Sequence, residues 1–435
     1  MITMKQINAS VAEEREAFFQ LLDERTGETN QRVTETVQEI LKTVKASGDD
    51  AVKNYTLKFD GSLPEYYEVP REVINDALTD ADQAIVDAML NAIENVRDFH
   101  QCQVEQGFIH PMANGVILGQ RVRGLERVGL YVPGGTAAYP SSVIMNAVPA
   151  KIAGVKEIIM VTPPRKDGTP NPDILIAAAL CGVDRIFLSG GAQAIAALAY
   201  GTKEIPKVDK IVGPGNIYVA TAKKLLYGIV DIDMIAGPSE VLVMADETAN
   251  PVFAAADLMS QAEHDVMASS ILVTTSEKLA EQVQAEINRQ VQTLERKEII
   301  EKSMNTYGAI LLCNSREEAT ALANRVAPEH LEVLMENPME LLGALDNAGS
   351  VFLGQYASEP LGDYYAGPNH VLPTSGTARF FSPLGVASFT KRSSYTYYTK
   401  DALRAAKDDI VLIANREGLT AHANAITVRF EDEKE

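Results

Sequence analysis

The sequence has few cysteines, a deficit of positive charge and no long apolar run. Its three cysteines, Cys102, Cys181 and Cys313, are widely spaced and odd in number, which favours a reducing compartment over a disulfide framework. Asp and Glu outnumber Lys and Arg by 59 to 39, so the chain is a poor candidate for binding nucleic acid through its phosphates. No apolar stretch approaches the ~18 residues of a membrane span, and the N-terminus lacks the pattern of a secretory signal. These absences predict a soluble, cytoplasmic protein without nucleic-acid or membrane partners.

The pattern of elements changes at about residue 125. Apolar residues at helix spacing dominate the earlier part, whereas short β-rich runs then alternate with helix-like stretches and glycine-rich turns. For example, RIFLSGGAQAIAALAYG (185–201) has the pattern of a strand, a Gly-Gly turn and a helix, and DKIVGPGNIYVATAKKLL (209–226) repeats it. Such alternation predicts βαβ units with a mostly parallel sheet. We therefore expect two α/β layers, over 127–237 and 238–353, with the helical N-terminal region packed on one of them.

The last part of the chain has a different composition. Residues 354–395 are rich in Gly, Pro, Ser and Tyr, too polar for regular core elements, and a long connection of this kind is more often functional than idle. After it, the pattern predicts one helix and a terminal strand, AITVRF. This tail is too short to bury a core of its own, so we expect it to pack on something, for which a two-fold partner is a common solution.

Two short motifs place polar side chains where chemistry is possible. Gln261 and His264 are three residues apart on a predicted helix, so an amide oxygen and an imidazole could reach one metal ion. The alternative is a histidine that only interacts with the helix dipole. In APEHL, Glu329 and His330 are neighbours after a proline, and could flank one substrate as water activator and base. The alternative is a surface pair at a helix-to-strand join.

Two later segments add possible ligands. The loop GDYYAGPNHVLPT (362–374) contains Asp363, which could be a hard oxygen ligand, and His370, which could orient a ligand or pack in the core. EGLTAHANA (417–425) supplies Glu417 and His422. A mixed nitrogen and oxygen set suits Zn²⁺ or a similar ion and leaves room for substrate. Spacing alone leaves open whether these residues meet; the proposed set is Gln261, His264, Asp363 and His422.

Two glycine turns each follow a predicted strand and precede a helix. They are LSGGAQ (188–193) and VGPGN (212–216). Backbone N–H groups at such helix N-termini suit a pyrophosphate. Neither turn matches G-x-G-x-x-G, and no acidic residue stands at the usual ribose position, so an ordinary βαβ turn is the alternative.

Nine segments, in the same order, resemble segments of the histidinol dehydrogenase family and run through most of the chain. They are GLYVPGGTAAYPSSVIMNAVPAKIAGV, GGAQAIAALAYGT, DKIVGPGNIYVATAK, AGPSEVLV, DLMSQAEHD, APEHLEV, AGSVFLG, GDYYAGPNHVLPT and EGLTAHANAITVR. The resemblance implies an aldehyde dehydrogenase/histidinol dehydrogenase-like α/β fold with two incomplete Rossmann-like domains, a helical N-terminal region and a small C-terminal arm. It implies a first α/β domain, at 26–126 and 238–383, that carries the metal and substrate residues, and a second, at 127–237, that supplies NAD contacts. It also implies an N-terminal arm at 1–25 and a C-terminal arm at 384–435.

The resemblance also implies an activity: the four-electron oxidation of L-histidinol to L-histidine through L-histidinal, the last step of histidine biosynthesis, with NAD and one zinc ion per subunit. It further implies a homodimer whose active site is shared between subunits. The implied acid–base pair is Glu329 and His330, and the implied zinc ligands are Gln261, His264, Asp363 and His422. The implied substrate contacts are Ser239, Gln261, His264, His330, Asp363, Glu417 and His422, and the implied NAD contacts are Tyr131, Gln193 and Asn216.

Three alternatives differ in chemistry. A cysteine nucleophile could carry a four-electron oxidation, but none of the three cysteines lies in a segment that gathers the site, so core or incidental roles are expected. A related zinc- and NAD-dependent dehydrogenase could act on another amino alcohol or a sulfonate. A non-catalytic metal-binding α/β protein would not need the Glu329–His330 pair.

Overall fold

A computed structural model describes residues 1–27, 31–134 and 139–433. The strands are β1 (Lys5–Asn8), β2 (Phe108–Pro111), β3 (Ile117–Gly124), β4 (Arg127–Tyr131), β5 (Glu157–Thr162), β6 (Arg185–Leu188), β7 (Lys210–Val212), β8 (Asp231–Ile232), β9 (Glu240–Ala245), β10 (Ser269–Thr274), β11 (Ala309–Leu312), β12 (His330–Leu334), β13 (Ser350–Leu353) and β14 (Thr390–Tyr397). The helices are α1 (Ala12–Gly27), α2 (Gln31–Ser47), α3 (Asp49–Asp60), α4 (Arg71–Thr79), α5 (Gln83–Gln101), α6 (Pro140–Ile152), α7 (Pro172–Cys181), α8 (Gly191–Tyr200), α9 (Ile217–Leu226), α10 (Pro251–Ala262), α11 (Glu277–Gln290), α12 (Lys297–Tyr307), α13 (Arg316–Val326), α14 (Glu359–Tyr364), α15 (Lys400–Arg416) and α16 (Thr420–Thr427).

Two parallel sheets follow the same winding plan. The five-stranded sheet has the order β6-β5-β4-β7-β8. By position in the chain its strands stand third, second, first, fourth and fifth, which is the Rossmann order without a sixth strand. The six-stranded sheet, β1-β11-β10-β9-β12-β13, repeats this order from β9 onward and adds β1 beside β11. The expected α/β fold with two incomplete Rossmann-like layers is confirmed.

Burial explains why the central strands read as almost unbroken apolar runs. Every residue of β9 and of β10 is buried, as expected for parallel strands covered by helices on both faces. Three of the helices that follow strands begin at asparagine caps: the side chains of Asn171, Asn216 and Asn250 accept hydrogen bonds from the first-turn N–H groups of α7, α9 and α10.

The chain forms two compact units. The larger one, Met1–Gln103 with Leu125–Phe389, holds both parallel sheets. The smaller one, Val104–Gly124 with Thr390–Glu435, has an antiparallel sheet of order β14-β3-β2 together with α15 and α16. The family-based domain boundaries remain a prediction. Within the larger unit, β1 pairs with β11 as a regular strand of the six-stranded sheet.

Two local expectations are wrong. The segment AITVRF is not a strand: α16 reaches Thr427, and a 3₁₀ helix covers Val428–Glu433, since the alanines at 421 and 423, just before it, favour helix. Residues 354–395 do contain regular elements, namely α14 and most of β14. In the part of the chain that the structure describes, no helix has the length and apolar character needed to cross a membrane.

Candidate active site

The Glu329–His330 pair lies at the amino edge of the six-stranded sheet. Helix α13 is followed by Ala327 in the left-handed region (φ 52°), and after Pro328 and Glu329 the chain enters β12 at His330. The predicted helix-to-strand join is therefore correct. The pair is not on the surface, however, because Glu329 is only 9% exposed and His330 only 3%. Burial removes the surface-pair alternative.

One neighbouring residue, Glu240 at the start of β9, contacts both members of the pair through its backbone. Its N–H donates to Glu329 Oε2 over 3.0 Å, and its carbonyl oxygen lies 3.0 Å from His330 Nδ1. Because a carbonyl oxygen only accepts, His330 carries its proton on Nδ1 and presents a lone pair at Nε2. That Nε2 is buried, has no hydrogen-bond partner among the described residues, and lies 3.8 Å from Asp363 Oδ1.

Burial shifts the pKa values of this pair in opposite directions. It lowers the pKa of His330 to about 3, and the nearby His264 and His370 act in the same direction. It raises the pKa of Glu329 well above its usual value, an effect that the Glu240, Asp363 and Glu359 carboxylates increase and the Glu240 N–H opposes. The imidazole is therefore neutral near pH 7 and able to accept a proton. Its pKa lies further from neutrality than the residue type alone suggests.

A second group of side chains forms a mixed nitrogen and oxygen donor set beside His330. His264, Glu359 and Asp363 each offer a ligand atom, and these atoms all lie within 4.8 Å of one another. His264 follows the end of α10, whereas Glu359 and Asp363 are one turn apart on α14. Burial, together with interaction between the two carboxyl groups, raises the pKa of Glu359, and burial raises that of Asp363. A bound cation would stabilise the ionised form of both groups.

The surroundings of this donor set also fit a metal ion. Gln261 Oε1 is buried and has no hydrogen-bond partner among the described residues, so this amide oxygen is available as a ligand. His370 Nδ1 lies 3.0 Å from the backbone oxygen of Asp363, and Ser260 Oγ donates to Glu359 Oε2 over 2.8 Å. The Ser260 contact orients a carboxylate of the donor set, as hydrogen bonds around metal ligands typically do. The residues present suit a divalent ion that prefers nitrogen and oxygen ligands.

Glu359 was not predicted from the sequence. Its signal is the four-residue spacing to Asp363, which places two carboxylates on one helix face. The surrounding Gly, Pro and Tyr residues concealed the short helix.

Three further predicted site residues are Ser239, Glu417 and His422. Ser239 directly precedes β9 and is partly exposed. Glu417 follows the end of α15, and His422 lies in α16, both exposed and both in the smaller unit. Their part in the site remains a prediction.

The three residues predicted to contact NAD belong to the carboxyl edge of the five-stranded sheet. Tyr131 ends β4, Gln193 lies in the first turn of α8 after β6, and Asn216 caps α9 after β7. Strands β4 and β7 are neighbours on either side of the point where the strand order reverses. In open α/β sheets, ligands bind at this point.

At this edge of the sheet, polar side-chain atoms of Tyr131 and Gln193 are available to bind a ligand. The Tyr131 hydroxyl accepts a hydrogen bond from the Gly191 N–H over 3.1 Å, and Gln193 is buried with neither side-chain polar atom paired among the described residues. Gly213 (φ 109°) brings the VGPGN turn against β4, where a Cβ would lie 2.1 Å from the Tyr131 carbonyl oxygen. Only glycine permits this close approach.

The cysteines do not form a nucleophilic centre. Cys181 and Cys313 are buried, and burial raises the pKa of each thiol to about 12. Cys102 is exposed at the end of α5. A thiolate nucleophile needs a lowered pKa, so the structure supports the expected core or incidental roles.

A neutral buried imidazole beside a mixed donor set, with a Rossmann-ordered sheet in the same unit, is a combination that suits an oxidoreductase. Residues 23–430 match the family model described as histidinol dehydrogenase. Histidinol dehydrogenase from Clostridium acetobutylicum is 59% identical over 416 residues, 96% of each chain, and that from Bacillus cereus is 55% identical over 96% of this chain and 97% of the relative. The crystal structure of histidinol dehydrogenase from Elizabethkingia anophelis superposes with a TM-score of 0.93 at 38% identity, covering 100% of both chains. The chain belongs to the histidinol dehydrogenase family of oxidoreductases.

Proposed function

We propose that this protein oxidises L-histidinol to L-histidine through L-histidinal, with two NAD⁺ consumed per turnover, as the last step of histidine biosynthesis. The observation that carries the proposal is the unpaired, neutral Nε2 of His330, placed 3.8 Å from Asp363 in the donor set. A proton acceptor so placed suits a substrate that is an alcohol and also carries nitrogen groups that a metal can hold.

The metal in this proposal is zinc, held by Gln261, His264, Asp363 and His422. Zinc held by these residues would supply a Lewis acid that orients a substrate bearing nitrogen groups. Ser239 and Glu417 are the additional substrate contacts, and the carboxylate of Glu417 would receive a cationic nitrogen of the substrate. Gln261, His264, His330, Asp363 and His422 would also touch the substrate.

The chain's own residues move the protons. His330 Nε2 takes the hydroxyl proton of histidinol as a hydride leaves the carbinol carbon. Glu329 then polarises the water that adds to the aldehyde, and His330 takes a hydroxyl proton of the hydrate as the second hydride leaves. The balance is one alcohol, one water and two NAD⁺ to one carboxylate, two NADH and three protons.

NAD would supply the hydride acceptor for both steps, and the five-stranded sheet would supply its contacts. In the proposal Tyr131, Gln193 and Asn216 bind it at the switch point of that sheet. Burial raises the pKa of Tyr131 to about 12, so its hydroxyl stays protonated and can donate to a cofactor oxygen.

Replacing Asn216 should separate cofactor binding from helix capping. Asn216→Ala removes the α9 cap, at a cost of about 1 kcal/mol of folding stability, and should raise the KM for NAD about three- to tenfold through lost hydrogen bonds. The matched control is Asn171→Ala, which removes the equivalent cap of α7. It should lower stability similarly and leave the KM for NAD unchanged. Equal KM values in the two variants would remove Asn216 from the cofactor site.

The protein is proposed to act as a homodimer in which Glu417 and His422 complete the active site of the neighbouring subunit. Both residues are exposed in the smaller unit. Exposed apolar side chains lie near them in sequence, at Leu412, Ile413 and Leu419, as expected of a surface that meets a partner.

Mixed dimers test this sharing. A His264→Ala chain and a His422→Ala chain, carrying different tags, are co-expressed and the heterodimer is isolated. If sites are shared, one site carries both defects and the other carries none, so about half of the wild-type activity should return. Activity no higher than that of either parent homodimer would show that each site is built within one chain.

The experiment that tests the function is NADH formation with purified protein and a panel of primary amino alcohols. L-histidinol and L-histidinal should be turned over, whereas analogues without the imidazole should be poor substrates. Preference for another amino alcohol or a sulfonate would assign the chain a different substrate, and no NADH with any of them would contradict dehydrogenase activity.

A further inference from the structure

We infer that Arg25, near the end of the N-terminal helix α1, is a positioning residue for the Glu329–His330 pair and acts through Glu240. This inference rests on the proposed function, because it assigns Arg25 a part in the chemistry of that pair. The starting point is that both groups share one anchor. The Glu240 N–H donates to Glu329 Oε2 and the Glu240 carbonyl accepts from His330 Nδ1, each over 3.0 Å.

Glu240 is held by the pairing of β9 with β10, where it stands opposite Ser269, and is fixed further by its side chain. One carboxylate oxygen pairs with the guanidinium of Arg25, and the other accepts from the Ser375 N–H over 3.2 Å. The side chains of Arg25 and Glu240 are only 1% and 8% exposed. A buried charge that loses its partner is costly, so each of these side chains keeps the other in a single arrangement.

Arg25 is itself held on its far side. Its Nη1 donates to the backbone oxygen of Met267 over 2.9 Å, and its guanidinium carbon lies 5.9 Å from the centre of the Tyr307 ring. The loop before β10 and the end of α12 therefore fix the arginine. A continuous series of contacts runs from α1 through Arg25 and the Glu240 side chain to the Glu240 backbone, which orients the reacting groups.

The series predicts a particular kinetic effect. Two nitrogens of the Arg25 guanidinium bind Glu240 and the Met267 backbone oxygen, while Nε is buried without a hydrogen-bond partner among the described residues. Because neither contact is to a proposed substrate or zinc ligand, loss of the guanidinium should move the reacting groups and leave the substrate ligands in place. A displacement of about 1 Å at a reacting group can cost about 10²-fold in rate. The loss should therefore fall on kcat, while the KM for histidinol and the zinc content stay near those of the wild type.

The test compares Arg25→Met, Arg25→Lys and Glu240→Gln, with Arg316→Met as the matched control. Arg316 pairs with Asp246, which directly follows β9 at its opposite end, over 3.1 Å. We expect kcat to fall about 10²-fold in Arg25→Met and Glu240→Gln, with about tenfold recovery in Arg25→Lys, which keeps the charge. Arg316→Met should keep the wild-type kcat although it also loses an ion pair of β9.

Three results would overturn the inference. The first is an Arg25→Met enzyme whose kcat equals that of Arg316→Met. The second is a loss of activity that is fully explained by lost zinc or by unfolded protein, with no fall in the kcat of the folded, zinc-loaded enzyme. If Arg25→Met does not fold, the third is an unchanged kcat in both Arg25→Lys and Glu240→Gln. A wild-type protein that does not oxidise histidinol would instead contradict the proposed function, so the two failures can be told apart.

Discussion

His330→Asn should slow both oxidation steps by about 10²–10⁴-fold, the usual cost of removing a general base. Both steps need a proton acceptor, first at the carbinol oxygen and then at the hydrate oxygen, and Nε2 of His330 is the unpaired candidate. The measurement is single-turnover NADH formation, started with histidinol for the whole reaction and with histidinal for the second step.

Glu329→Gln should lower the rates of the two oxidation steps by different factors. It keeps an oxygen that can accept from the Glu240 N–H and loses the acid–base function, so oxidation of histidinal should fall about 10²-fold or more while oxidation of histidinol falls much less. His100→Asn is the control, because His100 is a fully buried core histidine with Nδ1 2.8 Å from the Val96 oxygen. It should lower stability and leave both rates intact. Equal losses in both steps for Glu329→Gln would refute the proposed division of roles.

Loss of zinc should abolish the activity. His264→Ala and His422→Ala should each lose bound zinc while staying folded, and a chelator should inactivate the wild type reversibly. Elemental analysis and circular dichroism on the same samples provide the measurement. The control is His110→Ala, because His110 is an exposed residue of strand β2 in the smaller unit. This variant should keep its zinc. Full zinc occupancy in both ligand variants would disprove the assignment.

Glu359 provides a separate test of the donor set. Glu359→Gln keeps the side-chain shape and removes the charge beside Asp363, so it should weaken zinc binding about 10–100-fold, as changes around metal ligands typically do. Zinc affinity is measured by competition with a chelating dye. An unchanged affinity would show that Glu359 takes no part in the metal site.

Local patterns in the sequence predicted most of the elements that carry the site, but not α14, which holds Glu359 and Asp363. Alternating strands and helices indicated parallel sheets, and the proline in APEHL correctly placed Glu329 and His330 at a join between helix and strand. Strand order was not predicted, because pairing such as that of β9 with β12 joins segments far apart in the chain.

Long-range contacts explain what the sequence could not predict. Arg25 and Glu240 are 215 residues apart, and neither has a motif that points to the other. Burial, and with it the low pKa of His330, also depends on the folded surroundings. The prediction of a terminal strand was wrong for a different reason. Apolar and polar residues alternate in AITVRF as in a strand, although the neighbouring residues favour helix.

The most direct test of the central claim is the number of NADH molecules formed per histidinol consumed, with zinc measured on the same sample. A four-electron oxidation predicts two NADH for each histidinol, with histidine as the product and about one zinc per subunit in the active protein. One NADH per histidinol, with histidinal released as the product, would contradict the account.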